Sequence, residues 1–555
     1  MIVFFLVALL LSLTSGVLLT FIFLPSPKND LQGLLLRLFV GGGIGIGLSA
    51  CLYFVSLPAG LSGYIPLIDL AACVVLGLTR QLQNSIIGVT PAKAGVQKFL
   101  KRLDSRFHGN DNLGLLQWAL TFNIFRKRGR RKAERPAESQ LPDRKAALPG
   151  TGSKLETVIA AFFAVELLAS LGSFLFAFLK EPHGKWDAWL IWNMHARFLY
   201  RSGEAWREVF AVGMDWSHWD YPLLLPLSIV RGWKYFGNDS IYIPAAFALL
   251  FTLLTIGLLL GALAFLRSRI QGCLAAMILL GTPLFIVMGA SQFADVPLAF
   301  FILATLVLLF LPARSPENRS GALVLSGIAA GLCAWTKNEG LLFLLIVTGS
   351  LFGATLYADG WRSARKRTVR FLAGALPILL IVIYFKTQLS PANDLMAGSS
   401  PAAAAAKLTD FSRYAQIAKA FFITGISFTQ GLIDIRVGMQ LNPGAVNILL
   451  LIVYLLLAGV RIDDRDRTGL VRTAAVLLLM PAGYFFVYVM TPLDLGYHLA
   501  TSLNRLFLQL WPSVIFLFFM TAGAPETAAS AGERPGPGAG PGSTMPEKRR
   551  RRRVR

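Results

Sequence analysis

Apolar runs of about 17–25 residues recur along the whole chain, and this recurrence constrains the fold more than any single residue does. A run of that length crosses a bilayer as a helix, because a helix satisfies its own backbone polar groups where no water can. The runs fall at about 2–24, 33–57, 64–80, 155–179, 241–266, 272–289, 294–312, 320–336, 340–357, 370–387, 444–460, 470–490 and 506–522. They predict an all-α polytopic membrane protein with about 13 transmembrane helices. A mean hydropathy of +0.59 agrees with that class. The first run has no basic segment ahead of it and reads as a membrane helix, not a cleaved signal peptide. Cys51, Cys73, Cys273 and Cys333 all lie inside apolar runs without metal-like spacing, so they read as small hydrophobes.

Orientation follows from Lys and Arg, which stay on the cytoplasmic side. If segment 81–154 is cytoplasmic, the alternating loops place 38 of the 53 basic residues inside and 14 outside, with Arg37 within a helix. The N-terminus and the 180–240 loop are then expected in the periplasm. The net charge of +23 is thus explained by topology and anionic headgroups, with no nucleic-acid module behind it. Residues 1–80 form a three-helix leader. Residues 81–154 are a basic loop whose stretch 88–112 resembles a translated genomic repeat element, which makes His108 a bystander; the run at 126–135 reads as solvated charge. Residues 155–522 form the membrane core, and 523–555 a low-complexity basic tail expected to be disordered. The core carries two long outside loops, 180–240 and 388–443, the second with an amphipathic stretch suited to the membrane surface.

The first outside loop concentrates the chemistry. Between Lys180 and Tyr221 it holds six of the 11 Trp and three of the five His, with Asp187 set between Trp186 and Trp189. Asp295, Lys337, Glu339, His498 and Arg505 fall at outside ends of other runs, whereas only Glu166 lies near the middle of one. Charges at helix ends face water at little cost, and charges deep in the bilayer are usually functional. This distribution favours chemistry at the outer face over a relay across the membrane. Bland alternatives exist for each: Asp295 as a helix cap, Lys337 snorkelling beside Glu339, and His498 with Arg505 as interface anchors.

The segments WDAWLIWNMHARFLY, DYPLLLPLSIVRGWKYFG, FADVPLAFF, AWTKNEGLLF and GYHLATSLNRLFLQLWP, in this order over about 180–520, resemble bacterial integral-membrane glycosyltransferases of the GT-C superfamily. The similarity is to the family 39 enzymes, protein-mannosyltransferase-like and aminoarabinose-transferase-like. It implies a polyprenyl-phosphate sugar as donor, a glycolipid, glycan or protein acceptor, and a catalytic acidic motif in the first periplasmic loop. Asp187 matches the first acid of that Asp-Glu motif, while Ala188 stands where the Glu is expected, so Asp215, Asp220 or Asp295 could substitute. His195, Arg197 and Lys337 match less tightly.

The expected reaction moves one sugar with inversion. Asp187 acts as general base toward the acceptor hydroxyl, with Asp295 as the other catalytic candidate. Lys337, Arg505 or His498 stabilise the leaving phosphate, and Trp186 and Trp189 stack on sugar faces. Glu339, Asp220, His195 and Arg197 complete the candidate substrate-binding set. A divalent metal is compatible with the acids near His218, but no ligand spacing calls for one. Two other classes fit the helix pattern: a ligase or polymerase using a lipid-diphosphate carrier, and a transporter of a lipid-linked sugar.

Overall fold

A computed structural model describes residues 1–25, 31–88, 151–211, 214, 217–314, 318–392, 401–427 and 443–525. Most of the repeat-like stretch, the 126–135 charge run, Asp215 and nearly all of the tail lie outside the described residues. Those described form helices and turns, with one isolated bridge between Val460 and Ala522.

Every one of the thirteen apolar runs falls on a helix. Nine helices among the described residues are long and apolar enough to span a membrane, or ten if one bent pair counts as a span. The difference between ten and thirteen has three local causes, and the bent pair, run six, accounts for the step from nine to ten. Runs nine and ten are two helices counted there as one: Asn338–Gln388 (here α12) turns back at Gly360, where φ +77° and ψ 174° leave the helical region, so Lys386 near its end donates to Asn338 at its start at 2.8 Å. Run eleven is a short helix, Pro443–Ala458 (α15). Run eight, Arg319–Thr336 (α11), ends at Lys337 and is not among the nine.

The three leader helices, Ile2–Phe23 (α1), Leu31–Ser56 (α2) and Ile65–Gly88 (α3), pack onto the core. Close approach of α1 and α2 requires glycine: a Cβ on Gly16 would lie 1.9 Å from the Gly41 carbonyl oxygen. The α2 helix then packs against Leu224–Phe236 (α6) and Tyr242–Leu266 (α7). A buried ion pair locks this seam. Arg231 of α6 places Nη2 2.6 Å and Nε 3.0 Å from one Asp69 oxygen of α3, and the Tyr235 hydroxyl donates to that oxygen at 2.6 Å. The same guanidinium donates to the Ala8 carbonyl of α1 at 3.2 Å.

At the centre of the core stands Asp295–Arg314 (α10), almost wholly buried among α7, α11 and Leu495–Thr521 (α17). The long helix Thr151–Lys180 (α4), by contrast, exposes most of its surface, as a lipid-facing helix does. Run six is broken into Arg269–Leu280 (α8) and Pro283–Ala290 (α9), which meet at 68°. The sequence Gly281-Thr282-Pro283 dictates the break, since the residue before a proline leaves the helical region and proline suits a new first turn. The freed Gly281 carbonyl accepts from Asn447 at 3.0 Å, and the Thr282 hydroxyl accepts from Trp511 at 3.0 Å. Polar groups exposed by a break within apolar surroundings need such partners.

These paths bring one set of helix ends together: the C-terminal ends of α4, α9, α11 and Arg467–Met490 (α16), and the N-terminal ends of α10, α12 and α17. The second outside loop contributes Pro401–Thr409 (α13) and Phe411–Ser427 (α14), which sit beside the end of α16 through Lys407 and Arg413 bonds to the Met490 and Tyr488 carbonyls.

Candidate active site

A cavity of about 1220 Å³ opens where these ends converge. Its wall is polar on the side of the 180–240 loop and the α11–α12 turn. Toward α9 and α16 it is apolar, through Leu284, Met288 and Val487.

The loop that carries Asp187 is held by several bonds. Gly184 has φ +76°, and a Cβ there would lie 2.7 Å from the Ser291 carbonyl oxygen. Asn193 donates to the Gln292 side chain at 2.8 Å, and Gln292 donates to the Pro182 carbonyl at 3.1 Å. Gln292 itself takes φ +62°, an uncommon backbone state for a non-glycine residue that its bonds on both sides help maintain. Asp187 precedes a single π-helical turn, Ala188–Trp192, a geometry rare in proteins and frequent at functional sites. The next helix, Asn193–Arg201 (α5), buries Asn193, His195, Ala196 and Leu199 on one face.

Two cationic centres face the cavity. The Arg505 guanidinium is ion-paired to Asp187, each side chain about a fifth exposed (21% and 23%). It also lies 5.4 Å over the Phe293 ring. Lys337 is far more enclosed, 3.0 Å from Asp295 and 2.9 Å from Glu339. Gln509 donates to the same Asp295 oxygen at 2.6 Å and accepts from the Tyr484 hydroxyl at 3.2 Å. Burial opposes charge on Lys337, but Asp295 and Glu339 hold its ammonium well above the ordinary lysine range. The two carboxylates thus favour the charged form of a lysine enclosed in the cavity wall.

A third cluster lies alongside. Asn338 donates to Asp220 at 2.8 Å and accepts from Lys386 at 2.8 Å, while Lys386 also donates to the Asp220 carbonyl. The turn Lys337–Asn338–Glu339 thus turns three successive polar side chains onto the cavity wall. Tyr221 stacks on Trp192 at 5.6 Å and on His218 at 5.1 Å, and burial pushes its phenol up.

Of the residues the sequence singled out, Asp187, Asp295, Trp186, Asp220, Lys337, Glu339, His498 and Arg505 all line the cavity. His498 is held by Thr491 at 2.9 Å and by the Tyr488 ring. Three expected substrate-binding residues do not line it. His195 is fully buried, 2.9 Å from the Ser217 carbonyl and stacked on Trp219 at 3.8 Å; burial pushes its imidazole down to about 3, so it is neutral. It packs the loop from beneath. Arg197 faces the other way, 3.8 Å from Asp239 and over Trp233. Trp189 touches Trp186 edge to face at 4.8 Å but stays outside the cavity. The turn of α5 is the reason: His195 falls on its inward face and Arg197 on another.

Sequence reading passed over Gln509, Asn338, Tyr221, Tyr484 and the Asn193–Gln292 clamp. Gln509 carried a signal, being a polar residue in an apolar helix one turn after Arg505 and on the same face. Asp295 had been weighed as a helix cap; its carboxylate is committed to Lys337 and Gln509. Among the described residues no three His, Cys, Asp or Glu side chains gather as metal ligands.

Residues 220–385 match the family model of dolichyl-phosphate-mannose-protein mannosyltransferase, 166 of the 555 residues. The matched stretch holds Asp220, Asp295, Lys337, Asn338 and Glu339, while Asp187, His498 and Arg505 lie beyond it. No curated protein and no solved structure matches the chain significantly. The family match and the apolar helices together support a membrane glycosyltransferase of the GT-C type.

Proposed function

We propose that the protein transfers a single sugar, with inversion, from a polyprenyl-phosphate donor to a lipid or glycan acceptor at the periplasmic face of a bacterial inner membrane. The observation that carries this reading is the shared cavity lined by one loop carboxylate, Asp187, paired with Arg505, and by a buried Lys337 paired with Asp295 and Glu339. The family match supplies the reaction class.

In this reading Asp187 takes the proton of the acceptor hydroxyl as its oxygen bonds to the anomeric carbon. The bond from that carbon to the phosphate oxygen breaks, and its electron pair leaves with the lipid phosphate. Arg505 and Lys337 face the growing negative charge; such preorganised charge is among the largest contributions to catalysis. Asp295, with Gln509, is a positioning residue that aims Lys337. Trp186, 64% exposed at the cavity rim, offers a face for a sugar ring. The apolar wall of Leu284, Met288 and Val487 suits the first isoprene units of the donor. Orientation is supported by charge, since the opposite helix ends carry Arg267, Arg269, the Arg362–Arg370 cluster and Arg461–Arg467.

Mass spectrometry of envelope glycolipids and glycans from a deletion strain tests the reading. Wild type should restore a hexose- or pentose-sized mass, and Asp187→Asn at matched membrane level should not. Full restoration by the mutant would remove Asp187 from catalysis.

A further inference from the structure

The two cations of the cavity are not equivalent, and the difference points to an order of events. Lys337 sits between two carboxylates with its main partner, Asp295, sealed from solvent at 1% exposure. Asp295 is also tied down by Gln509. Nothing entering the cavity displaces it without stripping a buried charge of its partner, which is strongly unfavourable. Arg505 is different. Its hydrogen-bonded partner is Asp187, a loop carboxylate at the head of a π turn and open to the cavity, while the sealed Asp295 adds a second, fixed negative charge nearby. Arg505 is held in place by the Phe293 ring, and its buried Nε has no protein hydrogen-bond partner. The guanidinium is thus fixed, while the anion on it sits where another anion can take its place.

We infer that Arg505 is the exchangeable anion position of this site: Asp187 occupies it in the resting enzyme, and the donor's lipid phosphate takes it over and releases Asp187 to act as base. An Asp187 oxygen that accepts from the Arg505 guanidinium is engaged there, and exchange frees it for the acceptor hydroxyl. Released, Asp187 faces the acceptor hydroxyl beside Trp186. A planar guanidinium accepts either anion with similar hydrogen-bond geometry, so exchange needs no rebuilding of the site. The consequence is donor-first binding, with the base switched on only when the leaving group is seated. This rests on the donor reading above and adds to it the coupling between donor and base.

The test uses purified full-length protein in detergent and undecaprenyl phosphate as the probe, its affinity read from protection against thermal unfolding. Undecaprenol and inorganic phosphate, run in parallel, separate tail binding and free-phosphate binding from recognition of the lipid phosphate. If Asp187 competes for Arg505, Asp187→Asn binds the probe about tenfold more tightly, within the usual range of coupling between sites. That gain vanishes in an Arg505→Ala or Arg505→Gln background. A gain that persists without Arg505, or that Glu339→Gln reproduces in full, would be the general field of a removed negative charge and would overturn the exchange. A wild-type protein that does not distinguish undecaprenyl phosphate from undecaprenol would overturn the donor reading itself, and the exchange with it.

Discussion

An arginine meets an aspartate in two regions of this molecule, at the seam between leader and core and on the cavity wall. At the seam, Arg231 and Asp69 are 2% and 3% exposed, and the pair is surrounded by Tyr235 and the Ala8 carbonyl. On the cavity wall, Arg505 and Asp187 are each about a fifth exposed and border a large open volume. The first pair is a closed set of bonds joining α1, α3 and α6. The second joins a loop to a helix and leaves both groups within reach of a ligand. What distinguishes the two pairs is whether the surroundings complete them or leave them open, since residue type is the same in both.

Matched substitutions should separate the two regions most sharply. Asp187→Asn is expected to lower product formation by about 10²–10⁴-fold, the usual contribution of a positioned base, while thermal stability in detergent changes little. Asp69→Asn leaves Arg231 buried without its counter-charge and is expected to cost about 3–5 kcal/mol of stability, with product per folded molecule unchanged. Exchanged phenotypes, an unstable Asp187 variant and an inactive but stable Asp69 variant, would break the comparison.

His195 sharpens it from another side, as a titratable group of the first loop that the structure assigns to packing. Its imidazole is pushed down to about 3 by burial, against an ordinary value of 6.5. Between those values the unfolded chain binds a proton that the folded one does not, so stability is full above about pH 6.5 and declines as pH falls through that window. His195→Gln should flatten that part of the stability curve. An unchanged slope would mean that the ring is not held neutral. The smallest expected effect belongs to Trp186. Trp186→Ala should raise the acceptor KM by about three- to tenfold at constant kcat, the scale of one stacking contact, and Trp186→Phe should restore most of it. A fall in kcat alone would instead place Trp186 with the base.

The site was legible in part. Asp187, Lys337 and Arg505 could be found as charges at the ends of apolar runs because the cost of a charge in hydrocarbon limits where it can stand. His195 could not be told from them, since a histidine beside the same Trp-rich loop looks alike whether its helix turns it inward or outward. Asn193 and Gln292 gave no signal at all, being ordinary polar residues whose partnership spans 99 positions.

By itself the sequence determined the membrane class, the helix positions and the helix ends at which the candidate residues stand. These follow from run length and from the free energy of single residues, which act locally. Only the tertiary structure decided that Asp187 pairs with Arg505 across 318 positions, that Asp295 and Gln509 converge on Lys337, and that the leader is pinned to the core through Asp69 and Arg231. Which face of a helix meets which neighbour depends on packing between distant segments, and no local property of the chain carries that information.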